Sequence, residues 1–216
     1  MLVHDLTHSL APEISLYPGT PQPSFQPLAS IERDGFRETS FWLTSHMGTH
    51  MDAPAHLLPE GTCLDDIPPE RFCGSAFVAD CSALKPGKNL SLPLLKAAYQ
   101  EPLDFLLVHT GWDCFWGQPA YLKDYPTLEP EAAEWLAGLG LKGVGLDTIS
   151  PDPLDSSTLP AHRLLLGAGT LLIENLCNLG PLCGRRLFFA ALPLPLARAD
   201  GAQVRAVAIK QGLCSM

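Results

Sequence analysis

Ser45-His46-Met47-Gly48-Thr49-His50-Met51-Asp52-Ala53-Pro54-Ala55-His56 is the most informative stretch of this chain, because it places three imidazoles and one carboxylate within eleven residues. Neutral imidazole and carboxylate together suit zinc, manganese or iron. No thiol interrupts the run, so His46, His50, Asp52 and His56 are all candidate ligands. Four unrelated polar residues on a solvated face would fit poorly, since the segment is largely apolar and is punctuated by Gly48 and Pro54. Gly48 admits positive φ and close backbone approach, and Pro54 stiffens the turn that follows, so the segment reads as an irregular loop wrapped around something small. On such a loop the spacing of His46, His50 and Asp52 lets three side chains converge on one ion.

Outward from this segment, short apolar and β-branched runs bounded by turns read as strands at 76–80, 105–109, 144–147, 171–174, 187–192 and 204–209. The run 39–45 reads as a further strand that delivers His46. Ser91 before Leu92 to Tyr99, with Pro93 in the first turn, predicts an N-capped helix. Thr127 to Leu139 repeats the pattern with early acidic residues and late glycines, and Leu159 to Leu166 predicts a third, shorter helix. Strands alternating with helices give an α/β class, although the strand-rich N-terminal third is not a simple βαβ series.

Composition narrows the function. A chain of 216 residues is long enough for one large α/β domain, and the 21 prolines and 18 glycines are scattered rather than gathered into a linker, so residues 1–216 read as a single domain. The net charge of −9, with no basic cluster, repels phosphate backbones and excludes nucleic acid as a natural partner. The N-terminus lacks a basic segment followed by an apolar one, and no apolar run approaches the ~20 residues of a membrane span, which predicts a soluble cytoplasmic protein without membrane contact. Seven cysteines, Cys63, Cys73, Cys81, Cys114, Cys177, Cys183 and Cys214, are odd in number and form no Cys-x-x-Cys pair. That argues against a disulfide framework or a thiolate zinc cage, and most are expected to be small buried residues.

The pattern His46-x-Gly48-Thr49-His50-x-Asp52-x-Pro54-x-His56 resembles the signature of the cyclase-like metal-dependent hydrolases, a family that includes bacterial kynurenine formamidases and isatin hydrolases. Asp5-Leu6-Thr7, Tyr17-Pro18-Gly19, His109-Thr110-Gly111-Trp112, Gly145-Leu146-Asp147-Thr148, Glu174-Asn175-Leu176 and Arg205 to Ile209 extend the resemblance over nearly the whole chain. The resemblance implies the swivelling β/β/α architecture of that family. It also implies hydrolysis of a carbon-nitrogen amide bond in a small molecule, N-formyl-L-kynurenine foremost, and a homodimer or higher homo-oligomer. A lactam or cyclic-imide hydrolase of the isatin hydrolase type is the alternative. A metal-binding protein without turnover is a reading from another class.

By the same resemblance, His46, His50 and Asp52 hold a first divalent ion, and Asp52 bridges to a second held by His162 and Glu174. Zinc is the first choice and manganese the second. Glu174 also ends the apolar run Leu171-Leu172-Ile173, where a carboxylate needs a partner and a cation serves. His56 takes the position assigned to general acid/base catalysis, and an imidazole with a pKa of about 6.5 suits proton transfer near neutrality. Tyr17 stands where kynurenine formamidases carry a substrate-stacking Trp, so it keeps an aromatic face while adding a hydroxyl. Phe36, Trp42, Phe115 and Trp116 are further candidates for a pocket wall. His4, His8 and His109 are expected to be capping or core residues, none of them a metal ligand, and Asp65 and Asp66 to be solvated or capping.

Overall fold

The computed structural model describes residues 1–101 and 103–210. Its strands are Leu2–Asp5 (β1), Ser24–Ala29 (β2), Glu38–Trp42 (β3), His50–Asp52 (β4), Cys73–Asp80 (β5), Phe105–His109 (β6), Gly143–Leu146 (β7), Leu171–Glu174 (β8), Arg186–Pro193 (β9) and Gly201–Lys210 (β10). The helices are Ile31–Asp34 (α1), Leu92–Ala98 (α2), Pro130–Ala137 (α3) and Pro160–Gly167 (α4). Six of the strands coincide with the apolar runs in the sequence, and the mixed α/β class holds.

Seven strands close into a barrel in the order β10, β4, β8, β7, β6, β5, β9 and back to β10. β5, β6, β7 and β8 run parallel, whereas β4 and β9 are antiparallel to both of their neighbours. Side chains alternate between two cores, as the period of a strand requires. Ala76, Val78, Phe105, Leu107, Leu171, Ile173 and Phe189 fill the interior. Phe77, Ala79, Leu106, Val108 and Leu172 point outward and pack against Leu95, Ala132, Leu136 and Leu165 of the helices. Both faces are therefore buried, which is why these strands read as unbroken apolar runs.

Three sequence expectations need correction. The run 39–45 does not deliver His46: β3 stops at Trp42 and pairs only with β2 in a separate, exposed two-stranded arm. Residues 44–47 instead wrap around the Gln203 side-chain amide, which donates to the carbonyls of Thr44, Ser45 and Met47. The loop expected around His50 and Asp52 is in fact the buried strand β4, drawn into extended form by pairing with β8 and β10. Finally, α3 starts at Pro130 rather than Thr127, because Leu90 N–H donates to the Thr127 carbonyl and Leu128 N–H to that of Pro151.

Cys81 and Cys177 are buried, Cys63, Cys73 and Cys183 are half-buried, and Cys114 is exposed, so burial is less general than expected; Cys214 lies outside the described residues. No described helix is long and apolar enough to cross a membrane.

Candidate metal centre and active site

β4 explains how the donors meet. Met51 points into the barrel, so its neighbours His50 and Asp52 point out from the same face of the strand. In the antiparallel pairing with β8, His50 stands opposite Glu174, which brings a third donor onto that face. α4 packs against this side of the wall and adds His162 from its first turn. His46 arrives from the preceding turn, and its room is secured by Gly201 of β10, where a Cβ would lie 2.5 Å from the His46 ring. Gly48 adopts a φ of +66° and leaves no space for a side chain beside Leu10.

The result is a pocket of about 270 Å³ lined by Tyr17, Thr20, His46, His50, Asp52, His56, Ile149, Ser150, Leu159, His162 and Glu174. All seven site residues expected from the sequence face this one cavity. His50, Asp52, His162 and Glu174 are buried.

The donors form two groups that share Asp52. His46, His50 and Asp52 offer ligand atoms within 4.8 Å of one another, and so do Asp52, His162 and Glu174. His50 Nε2 lies 3.3 Å from both Asp52 Oδ1 and Glu174 Oε2. His162 Nε2 lies 3.1 Å from Glu174 Oε1 and 3.6 Å from Asp52 Oδ2. His56, His46 and Asp200 form a third such group at the rim.

Each imidazole of the two inner groups is held on its far side. His50 Nδ1 donates to the Gly48 carbonyl at 2.9 Å, His162 Nδ1 to Asp152 at 2.7 Å and His46 Nε2 to Asp200 at 2.9 Å. Such outer partners fix the tautomer and orient the ring of a metal ligand. Asp152 also accepts the Ala161 and His162 backbone N–H groups, so it caps α4 and aims His162 at once. Asn175, at a φ of +57°, donates to the Gly48 carbonyl and supports the same turn. Asp152 and Asp200 were not singled out in the sequence, where nothing distinguishes them from ordinary turn residues, and Asn175 entered only as part of the segment Glu174-Asn175-Leu176.

The ionisation of the cluster fits a cation. Burial disfavours a charged His46, yet Asp52 and Asp200 outweigh it and push the ring up to about 9. Burial likewise opposes charge on His50 and His162, and their carboxylate neighbours push each up to about 10. Burial of Asp52 is overcome by His46 and His50, which hold it well below the usual carboxylate range. Protons thus occupy the positions that cations would take. Asp52 Oδ2 and Glu174 Oε1 are nevertheless buried without a hydrogen-bond donor, although His162 Nε2 lies 3.6 Å from the first and 3.1 Å from the second. Two orphaned carboxylate oxygens among three imidazoles are a nitrogen and oxygen donor set that suits divalent zinc or manganese.

His56 differs. Burial lowers its pKa, despite the pull of Asp52 in the other direction, so the ring stays neutral at pH 7. It packs 4.0 Å from the His46 ring, centroid to centroid. Tyr17 donates its hydroxyl to the Leu154 carbonyl at 3.1 Å and rests on a cluster that includes Trp112, Phe115, Trp116 and Tyr121. Phe115 and Trp116 therefore support the pocket from behind, whereas Phe36 and Trp42 lie exposed on the arm. His8 stacks on Trp116, and Asp65 accepts the Arg198 backbone N–H, so neither joins the centre.

The chain has relatives. A kynurenine formamidase of Salinibacter ruber is 33% identical, the match covering 96% of this chain and 97% of that protein. An isatin hydrolase crystallised with the product analogue thioisatinate superposes with a TM-score of 0.88 at 27% identity, over 97% of this chain and 92% of that one. A "predicted metal-dependent hydrolase" from Bacillus stearothermophilus gives 0.79 at 26% identity, over 96% and 97%. Residues 4–153 match the family described as "Putative cyclase". With the barrel, the His-x-x-x-His-x-Asp segment and these matches in agreement, the chain belongs to the cyclase family.

Proposed function

We propose that this pocket hydrolyses a carbon-nitrogen amide bond, with N-formyl-L-kynurenine as the leading substrate. The observation that carries the reading is Asp52, shared between two donor groups inside one cavity that also holds a neutral histidine. The first group, His46, His50 and Asp52, and the second, Asp52, His162 and Glu174, would each hold a divalent cation, zinc ahead of manganese. Such ions supply Lewis acidity at the amide carbonyl and acidify water.

The protein's own residues account for the remaining demands of the reaction. An amide nitrogen is a poor leaving group until it is protonated, so a proton must be taken from the attacking water and returned to nitrogen. His56 suits both halves, because burial keeps it neutral. Its Nδ1 is turned toward Asp200 at 3.7 Å, which leaves Nε2 for the transfer. Tyr17, Ile149 and Leu159 form an apolar side of the pocket that would seat an aromatic ring, while Thr20 and Ser150 add polar edges. The kynurenine formamidases at 31–33% identity support the arylformamide substrate.

The isatin hydrolase neighbours favour a second reading, in which the substrate is a lactam or cyclic imide. Turnover of N-formylkynurenine measured beside isatin, cyclic imides and formanilide separates the two. Absence of turnover on every substrate with zinc or manganese supplied would leave a metal-binding protein instead. The exposed arm supports a homo-oligomer: Leu28, Ile31, Phe36, Phe41 and Trp42 are all 49–63% exposed, an apolar surface that a second copy would cover.

A further inference from the structure

A second set of donor side chains stands apart from the pocket, at the carboxyl ends of the parallel strands. Asp80 closes β5 and His109 closes β6, and the two are paired in register. Cys183 follows the short turn Gly180–Leu182. One donor atom from each of the three lies within 4.8 Å of the other two. The backbone holds them there: Cys81 N–H donates to the His109 carbonyl at 2.7 Å, and Gly184 N–H donates to Val78 of β5 at 2.9 Å.

His109 and Asp80 each have one donor atom engaged and one left over. His109 Nδ1 lies 3.1 Å from the wholly buried Asp147, whose carboxylate also accepts Thr110 N–H, the Thr110 hydroxyl and Gly111 N–H. A carboxylate behind the ring places the proton on Nδ1 and the lone pair on Nε2, the arrangement typical of histidine ligands. Beside Nε2 stands Gly180, where a Cβ would come within 3.3 Å; the missing side chain keeps that nitrogen uncovered. Asp80 Oδ1 takes the N–H and hydroxyl of Ser82, which leaves Oδ2. Cys183 Sγ makes only a long contact of 3.9 Å to the Leu179 carbonyl.

We propose that Asp80, His109 and Cys183 form a second metal site, for a thiophilic divalent cation such as zinc, separate from the pocket. One sulfur, one nitrogen and one oxygen donor suit zinc and not magnesium or calcium, and three protein ligands leave room for a water. Burial and the nearby Asp80 push the Cys183 thiol up to about 11, so it is protonated when no cation is bound. Binding replaces that proton, which passes to solvent. This departs from the sequence expectation that His109 is not a metal ligand; the three donors come from separate segments with no motif spacing to signal them.

Sulfur distinguishes the two sites. Among the described residues the pocket presents only nitrogen and oxygen donors, so cobalt(II) bound there gives no sulfur-to-metal charge-transfer absorption. Metal-stripped full-length protein, kept reduced with a phosphine, should develop that near-ultraviolet band on titration with cobalt(II) and saturate at one equivalent for it. The band should vanish in Cys183→Ala and Cys183→Ser and persist in Cys63→Ala, which removes the thiol beside Asp65 and Asp66. Asp80→Asn, an exposed and structurally mild change, should weaken the site at least about tenfold. No band in the wild type, or a band that survives Cys183→Ser, would overturn the proposal and leave the His109 and Asp147 contact as a strut between strand ends.

Discussion

His46 is gripped on both edges by carboxylates: Nδ1 lies 2.7 Å from Asp52 and Nε2 lies 2.9 Å from Asp200, 154 residues further along the chain. The inner contact is where a cation would sit, and the outer one keeps the ring from turning. Asp200→Asn should therefore lower metal affinity or hydrolysis by about 10- to 100-fold while the fold persists. Metal titration and kinetics on the same preparation check this, and wild-type values in both would remove Asp200 from the site's support.

His56→Ala and Asp52→Asn should fail in different ways. The first should keep its metal and lose about 10²- to 10⁴-fold in rate, the usual contribution of a general acid/base. The second should release metal and melt at a lower temperature, because a neutral amide is a poor bridge between two cations. Metal loss in His56→Ala would instead move that ring among the ligands, in the rim group with His46 and Asp200.

Proton and metal should compete. In the metal-free protein His46 titrates at about 9 and His50 and His162 at about 10. These lie above the ~6.5 of a free imidazole. The stabilisation they report is complete below that unfolded-state value and is lost as pH rises through the folded values. Metal-free protein should thus melt lower at about pH 10 than at about pH 7. Cation binding should release more than one proton per chain and weaken as pH falls. Calorimetry in buffers of different ionisation enthalpy measures the release, and zero protons would contradict the cluster's charge state.

Tyr17 should govern substrate choice. Tyr17→Ala removes one wall of the cavity and should mainly raise KM, whereas Tyr17→Trp should preserve or improve the KM for an arylformamide. Equal kinetics for both variants on every substrate would place the ring outside the binding surface.

The exposed arm should mediate self-association. Phe41, 63% exposed, and Trp42, 49% exposed, lie on β3 away from the barrel core. Phe41→Glu with Trp42→Glu should shift sedimentation toward monomer without disturbing the far-ultraviolet spectrum. A wild-type chain that is already monomeric at micromolar concentration would contradict the assembly.

Much of this molecule was readable from residue order, for identifiable reasons. Runs such as 105–109 stand out because Phe105 and Leu107 fill the barrel while Leu106 and Val108 meet the helices, so every position is apolar. The strand His50–Asp52 was hidden because it is three residues long, flanked by Gly48 and Pro54, and its partners lie more than a hundred positions away. Local pattern carries no trace of such pairing. The donors between His46 and His56 were legible, since dense imidazole and carboxylate spacing is rare in apolar sequence, whereas His162 and Glu174 were named through the family resemblance. The acceptors behind them were not: Asp152 and Asp200 sit in turns of ordinary composition, and only the folded chain brings them to His162 and His46.

The three residues of β4 are the whole of the barrel's seam between β8 and β10, with three register pairs on each side. Two of those three side chains are His50 and Asp52. A fluctuation that unzips this seam scatters the donors, and a cation gripping them must resist the unzipping. The ion would act as a clasp, and amide hydrogens along 50–52 should exchange with solvent more slowly once it is fastened. With a cation bound, the donor set and the closure of the barrel would then form one cooperative unit, neither loosening alone.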